Sequence, residues 1–264
     1  MSGILCCWAN LPEEAAEWYE DEYIPHMRNP NAAHSIHCEV TASGMENEPV
    51  GKLDSPWPWM TVYEIRDIAL SNKNTERAAK NPGEEVENGR LKTARFDVRT
   101  YRELKRWQEE DWEGEGGGGK IISSDKAPAG LMPLDIEHVA SIAAMEWNVT
   151  ADKEEEVLKF YEEVVGPTIA SSPDVLRFRL FKIDHATTMD NGSYTIKNKD
   201  ELHKYFTLVE LESEEWPWDV VVELANEKCW TDYFEKQDVV KWQLSHYLVR
   251  RADHDENDDA SASK

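Results

Sequence analysis

Positive charge is scarce in this chain: 29 lysines and arginines stand against 53 aspartates and glutamates, a formal net charge of -24 over 264 residues. Such a surface repels phosphate backbones and anionic headgroups, so neither nucleic acid nor a membrane is expected as a partner. Long apolar runs are also missing. No stretch approaches the roughly 20 residues that span a bilayer. Gly3 to Leu11 has no basic flank before it and meets Pro12 and acids after it, so it reads as a strand and not as a secretory leader. Cysteine is sparse. Cys6, Cys7, Cys38 and Cys229 show no zinc-type pairing, and adjacent Cys6 and Cys7 point to opposite faces of a strand. Reduced thiols in a cytoplasmic protein are the expectation.

What the chain does have, with 40% of its residues hydrophobic, is enough apolar surface for one large or two ordinary domains. Between 108 and 135 the hydrophobic period lapses into acids, glycines and prolines, which predicts a flexible acidic linker. Residues 252–264, ADHDENDDASASK, hold too few apolar groups to offset the entropy of ordering and read as a disordered tail. The segments on either side of the linker, 1–107 and 136–251, repeat one another. A slide of 142 lays WYEDEYIP (Trp18 to Pro25) on FYEEVVGP (Phe160 to Pro167), and His34 to Val40 on Leu176 to Lys182. A slide of 146 lays TVYEI (Thr61 to Ile65) on TLVEL (Thr207 to Leu211), and Phe96, Val98 and Tyr101 on Trp242, Leu244 and Tyr247.

Each copy opens with a short apolar strand, Ile4 to Ala9 or Ile142 to Trp147, followed by a helix with a capping-box pattern: Asn10 with Glu13, Asp152 with Glu155. Ala16, Tyr19, Tyr23 and Met27 form the helical stripe of the first copy; Leu158, Tyr161, Val165 and Ile169 form that of the second. Pro25 and Pro167 help stop the helices. Two strands, a second helix and a last strand complete the order β-α-β-β-α-β, the ferredoxin-like unit with both helices on one sheet face. The other face of each sheet must be buried. The predicted fold is therefore α+β: two tandem ferredoxin-like units whose antiparallel sheets pack into one pseudo-dimeric barrel with the helices outside.

Several motifs lose their first meaning in context. Gly114 to Lys120 has the glycines of a phosphate loop, but acids precede it instead of a strand, Ile121 stands where Ser or Thr would hold magnesium, and no helical period follows. His34 and His37 are three apart on a strand, hence on opposite faces, and cannot chelate one metal. No metal and no cofactor are expected. The sequons at Asn148 and Asn191 imply glycosylation only in a secreted chain. Trp-Pro-Trp at Trp57–Trp59 and Trp216–Trp218 sits at non-equivalent repeat positions; its tryptophans serve core packing or stacking against a flat aromatic ligand.

The run Glu-Trp-Tyr-Glu-Asp-Glu-Tyr-Ile-Pro, Glu17 to Pro25, resembles the EthD-like branch of the dimeric α+β barrel superfamily, in which a helix commonly ends in Glu-His-Ile-Pro. Because the likeness covers both halves, the chain resembles the tandem, pseudo-dimeric form found in fungi. The resemblance implies a small-molecule pocket with little or no cofactor, among relatives that include decarboxylases, aromatic cyclases and cofactor-independent monooxygenases on polyketide-like substrates. Tyr23 stands where the family carries histidine, and the second half has Val164 and Val165 in place of Glu-His.

That asymmetry locates the expected site. Polar Glu22 and Tyr23 replace valines on an otherwise apolar helix face, and Glu22 stands one turn before His26. His37 with Tyr23 makes a workable acid/base pair, and His34 is the weaker choice because it shares a face with Ile36, Cys38 and Val40. The expected catalytic set is thus Tyr23, His37, Glu22 and His26, with Trp8, Tyr19, His34, Trp59, Tyr63 and Tyr101 lining a pocket for a hydrophobic small-molecule substrate. A lyase, cyclase or isomerase leads; a cofactor-independent oxygenase and a noncatalytic binding protein are the alternatives. The chain is expected to form an intramolecular pseudo-dimer, with further homodimerisation open to it.

Overall fold

The computed structural model describes residues 3–24, 31–41, 57–81, 83–87, 89–109, 121–123 and 136–254. Ten strands are seen among them: β1 (Gly3–Asn10), β2 (Ala32–Val40), β3 (Trp59–Ile65), β4 (Arg95–Glu109), β5 (Ile121–Ser123), β6 (Ser141–Val149), β7 (Val175–Asp190), β8 (Ser193–Ile196), β9 (Tyr205–Leu211) and β10 (Val240–His254). The helices are α1 (Glu13–Trp18), α2 (Ile68–Lys80), α3 (Glu84–Glu87), α4 (Glu154–Phe160), α5 (Gly166–Ala170), α6 (Trp218–Ala225) and α7 (Lys228–Trp230). The sheet order is β5-β4-β1-β3-β2-β10-β6-β9-β7-β8, and β4 also pairs with β7. That last pairing closes eight antiparallel strands into a barrel and leaves β5 and β8 as flaps. β4-β1-β3-β2 and β10-β6-β9-β7 follow the same ferredoxin-like order, and the strands that join the two sheets are β2 with β10 and β4 with β7.

Alternation along each strand divides the side chains between two layers. Ile4, Cys6 and Trp8 enter the barrel core with Ile36, Cys38, Met60, Val62, Phe181, Phe206 and Leu208. Leu5, Cys7 and Ala9 face the helices. Both faces of β1 are therefore apolar, which is why its sequence shows a continuous hydrophobic run and no alternation.

After α1 the helix widens into a π-helical turn at Tyr19–Tyr23, closed by the Ile24 N–H on the Tyr19 carbonyl. After α4 it widens again at Tyr161–Val165, closed by the Gly166 N–H on the Tyr161 carbonyl. The two turns lie at the 142-residue offset of the sequence, and β3 and β9 lie at the 146-residue offset.

Five details depart from expectation. Pro167 does not stop its helix: it sits in the first turn of α5, which runs on to Ala170. The capping boxes do not form: α1 starts at Glu13 with Pro12 before it and α4 at Glu154 after Lys153, with no side-chain cap at either. Asn10 is instead the last residue of β1. β4 runs to Glu109 and β5 pairs with it across Trp107, Gln108 and Glu109, so ordered strand reaches into the stretch expected as linker. β10 runs to His254, where Ala252, Asp253 and His254 pair with Ile36, Ser35 and His34, so the tail does not begin at 252. The glycine run Gly114 to Lys120 lies outside the described residues. Finally, strand two is shifted by one. His37 lies opposite Thr61, but Leu180, and not Arg179, lies opposite Thr207. A one-residue shift exchanges the faces of a strand, so the structural counterpart of His37 is Leu180 and that of His34 is Arg177.

The shift builds a charged centre inside the barrel. Arg177 bonds Glu210 at 2.7 Å and Glu64 at 3.2 Å, Arg179 bonds Glu210 at 2.8 Å, and His34 bonds Glu64 at 2.8 Å. All four charged residues are at most 5% exposed. Burial alone pushes the Glu64 carboxyl up, but Arg177, Arg179 and His34 outweigh it and hold the group well below the usual carboxylate range.

Candidate functional site

The helix-facing layer of the first half gathers the aromatic and titratable groups. His37 on β2 is buried and its Nδ1 lies 2.9 Å from the Thr61 Oγ1 of β3. Trp59, from the same strand as Thr61, stacks on the imidazole with centroids 5.2 Å apart and planes 7° from parallel. From the other side comes Tyr19, 6.0 Å from His37. Tyr19 stacks on Tyr23 at 5.2 Å, and Trp18 packs on Tyr23 at 5.4 Å. Tyr19 and Tyr23, four apart, are the first and last residues of the π-helical turn. Cys7 of β1 and Phe96 of β4 close the floor.

Burial sets the protonation states. It lowers the His37 pKa to about 4, with help from Arg250 and Arg251 at the end of β10. The imidazole is therefore neutral at physiological pH. Burial, with Cys7, Tyr194 and Glu85 beside it, raises the Tyr23 phenol to about 12, and burial raises Tyr19 well above its ordinary value. Both phenols are neutral hydrogen-bond donors. A neutral imidazole fixed at one nitrogen by Thr61, among neutral phenols and an indole face, can accept or relay a proton and can donate to a developing oxyanion.

The expected site residues divide between two layers. Tyr19, Tyr23, His37 and Trp59 come together in the gap between helix and sheet, and Tyr63 lies on the same sheet face beside Leu5, Ile65 and Ile68. Trp8, His34 and Tyr101 face the other way, into the barrel. Trp8 and Tyr101 pack on Phe206 at 5.8 and 4.8 Å, and His34 belongs to the charged centre. They cannot line one pocket with His37, because odd and even positions of β1 and β2 serve opposite faces. Glu22 stands exposed on the π-helical turn. His26 lies outside the described residues.

The second half fills the same layer differently. Tyr161 occupies the place of Tyr19, and its hydroxyl lies 2.8 Å from Thr207 Oγ1, the counterpart of Thr61. Trp147 donates to the same oxygen at 3.1 Å and stacks on Tyr161 and Tyr205 at 5.0 and 4.4 Å. Val165 and Leu180, both buried, stand where the first half has Tyr23 and His37. Beside them lies an apolar cavity of about 80 Å³, lined by Met145, Tyr161, Phe178, Leu224, Leu244 and the two tryptophans Trp216 and Trp230 among others. Sequence reasoning gave this half no pocket. The available signal was the second Trp-Pro-Trp, which brings Trp216 over the sheet within 5.2 Å of His246. Among the described residues no cluster of three or more His, Cys, Asp or Glu side chains is arranged to hold a metal ion, and no helix is long and apolar enough to cross a membrane.

Comparison with known proteins places the fold. No protein-family model matches the chain and no curated protein matches its sequence. Among solved structures, the chain is similar to an anthrone oxidase-like protein with a TM-score of 0.54 and 12% identity over 96% of this chain and 92% of that one. It is also similar to a monooxygenase-like protein of Lactobacillus acidophilus, with a TM-score of 0.50 and 10% identity over 96% of both chains. A third, from Fusobacterium nucleatum, has a TM-score of 0.50 and 10% identity over 95% and 94%. The chain shares their fold, an α+β barrel of ferredoxin-like units.

Proposed function

We propose that this chain is a tandem, EthD-like barrel enzyme that acts on a hydrophobic, aromatic or polyketide-derived small molecule by general acid/base chemistry without a cofactor, as a lyase, cyclase or isomerase. The observation that carries the proposal is the neutral, buried His37 held between Thr61, Trp59 and Tyr19, with Tyr23 stacked beyond it. In this reading His37 takes or relays a proton from carbon or hydroxyl. Tyr23 donates to the carbonyl or enolate oxygen where negative charge develops, and Trp59 with Tyr19 offers flat faces to an aromatic substrate. Arg250 and Arg251 of β10 act on His37 through their charge from the other half of the barrel, Arg251 being its partner in the β2–β10 ladder.

A second reading keeps the pocket and changes the reaction to cofactor-independent oxygenation; the anthrone oxidase-like and monooxygenase-like names among its structural neighbours favour it. One experiment separates these. The protein is incubated with a panel of hydroxylated aromatics and polyketide-like compounds, anthrone among them, while product formation and dioxygen uptake are followed together. Product without dioxygen uptake supports acid/base chemistry, and stoichiometric uptake selects the oxygenase. Saturable binding with no product at all selects a noncatalytic binding protein.

A further inference from the structure

The second-half cavity carries an inference that does not rest on the first-half reading. Two neighbouring ring nitrogens of this half are buried without a hydrogen-bond partner among the described residues: Trp216 Nε1 and His246 Nε2. Their rings are 5.2 Å apart. Trp216 lines the cavity, and His246 sits beside cavity-lining Ala143 in the β10–β6 ladder. Leaving a buried polar group unpaired costs about 1–3 kcal/mol, and two such groups with their rings in contact, one lining the void and the other one strand over from its wall, ask for a shared partner.

The chemistry of the pair defines that partner. The indole N–H can only donate. His246 is 3% exposed, and burial lowers its pKa to about 4, so at neutral pH it is a neutral imidazole that accepts at Nε2 when its proton sits on Nδ1. A hydroxyl is the group that accepts from one and donates to the other at once. The remaining wall is mostly aliphatic and aromatic, with Met145, Val165, Phe178 and Leu244 in it, and the Thr207 hydroxyl that also lines it is already engaged by Tyr161 and Trp147. At roughly 10–15 Å³ for one water, a cavity of about 80 Å³ has room for a single ring. We propose that the second half holds a separate binding site for a small neutral molecule with one hydroxyl on an apolar ring, of the phenol class, read by Trp216 and His246.

Phenol and benzene, titrated into the full-length protein by calorimetry, test this, with the indole N–H resonance of Trp216, assigned through Trp216→Phe, as the reporter of place. Phenol is expected to bind about tenfold more tightly than benzene, the worth of a shared pair of hydrogen bonds, and to move the Trp216 signal. His246→Phe should abolish that preference while benzene still binds; Leu70→Ala, an exposed change in the first half, should leave both ligands unaffected. Should His246→Phe fail to fold, loss of the preference in Trp216→Phe serves the same purpose. Equal affinity for the two ligands, binding of neither, or phenol binding that leaves the Trp216 signal in place and survives His246→Phe would each overturn the proposal. The last two results would mean that the two nitrogens serve a trapped water or that phenol binds elsewhere.

Discussion

The two helix-facing layers of this barrel share a frame and differ in what fills it. Both start a π-helical turn on a tyrosine, Tyr19 or Tyr161, and both set a threonine in the third strand of the unit, Thr61 or Thr207. In the second half Tyr161 and Trp147 both bond Thr207, and Val165 and Leu180 complete an apolar layer. In the first half Ala9 stands in the place of Trp147, the threonine turns to His37, and Tyr23 stands in the place of Val165. The comparison teaches that a polar group survives in such a layer only where a smaller neighbour leaves it room and a partner. Reducing Trp147 to Ala9 frees Thr61 to bond the imidazole.

The largest expected effect comes from making the second half resemble the first at that position. Trp147→Ala removes a fully buried indole with two stacked neighbours and a hydrogen bond, so urea denaturation should show a loss of about 3–5 kcal/mol. A loss under about 1 kcal/mol would mean that Trp147 does not hold the second-half layer together.

A somewhat smaller effect follows from the two buried histidines. The folded pKa of His37 and of His246 is about 4, below the unfolded value near 6.5, so the unfolded chain binds protons first. Their stabilisation is complete above about pH 6.5 and is lost as pH falls toward 4, by roughly 3 kcal/mol each at most. Glu64 and Glu210, held low by Arg177 and Arg179 against their burial, add a further loss only below the unfolded carboxylate range. His37→Leu, which copies Leu180, should therefore flatten part of the stability profile between pH 6.5 and 4. An unchanged slope would place His37 in water.

Smaller again is the effect at Gly166, whose first-half counterpart is Ile24. A Cβ on Gly166 would come 2.4 Å from the ring of Trp107, which β4 of the first half inserts under the helix of the second. Gly166→Ala should cost about 1–3 kcal/mol by overpacking, measurable as a lowered Tm. A neutral result would show that this seam between the halves yields.

Much of this was legible in the chain. The 142- and 146-residue offsets marked the repeat and with it the barrel, because helix one and strand three occur twice with their apolar stripes intact. The opposite faces of His34 and His37 followed from strand geometry, and the structure puts one in the charged centre and the other under Tyr19. What could not be read was the one-residue shift of strand two. An ungapped slide keeps letters aligned, whereas pairing against β9 is decided by which face must be buried, and that sends Arg177 and Arg179 inward. The same blindness to faces put Trp8, His34 and Tyr101 in one pocket with His37. Asn191-Gly192, read only as part of a sequon, forms the β7–β8 hairpin turn with positive φ at both residues. The cavity under Trp216 went unseen because its walls are individually unremarkable apolar residues, and a void is a property of packing and not of composition.

The measurement closest to the central claim compares three variants on whichever panel compound the protein converts: Tyr23→Phe, His37→Ala and His246→Ala, each checked for retained fold. The account predicts that the first two lower kcat/KM by roughly 10²-fold or more, as loss of a general acid or base does, and that His246→Ala stays near the parent value. Full activity in Tyr23→Phe and His37→Ala with loss in His246→Ala would contradict it and move the chemistry to the second half.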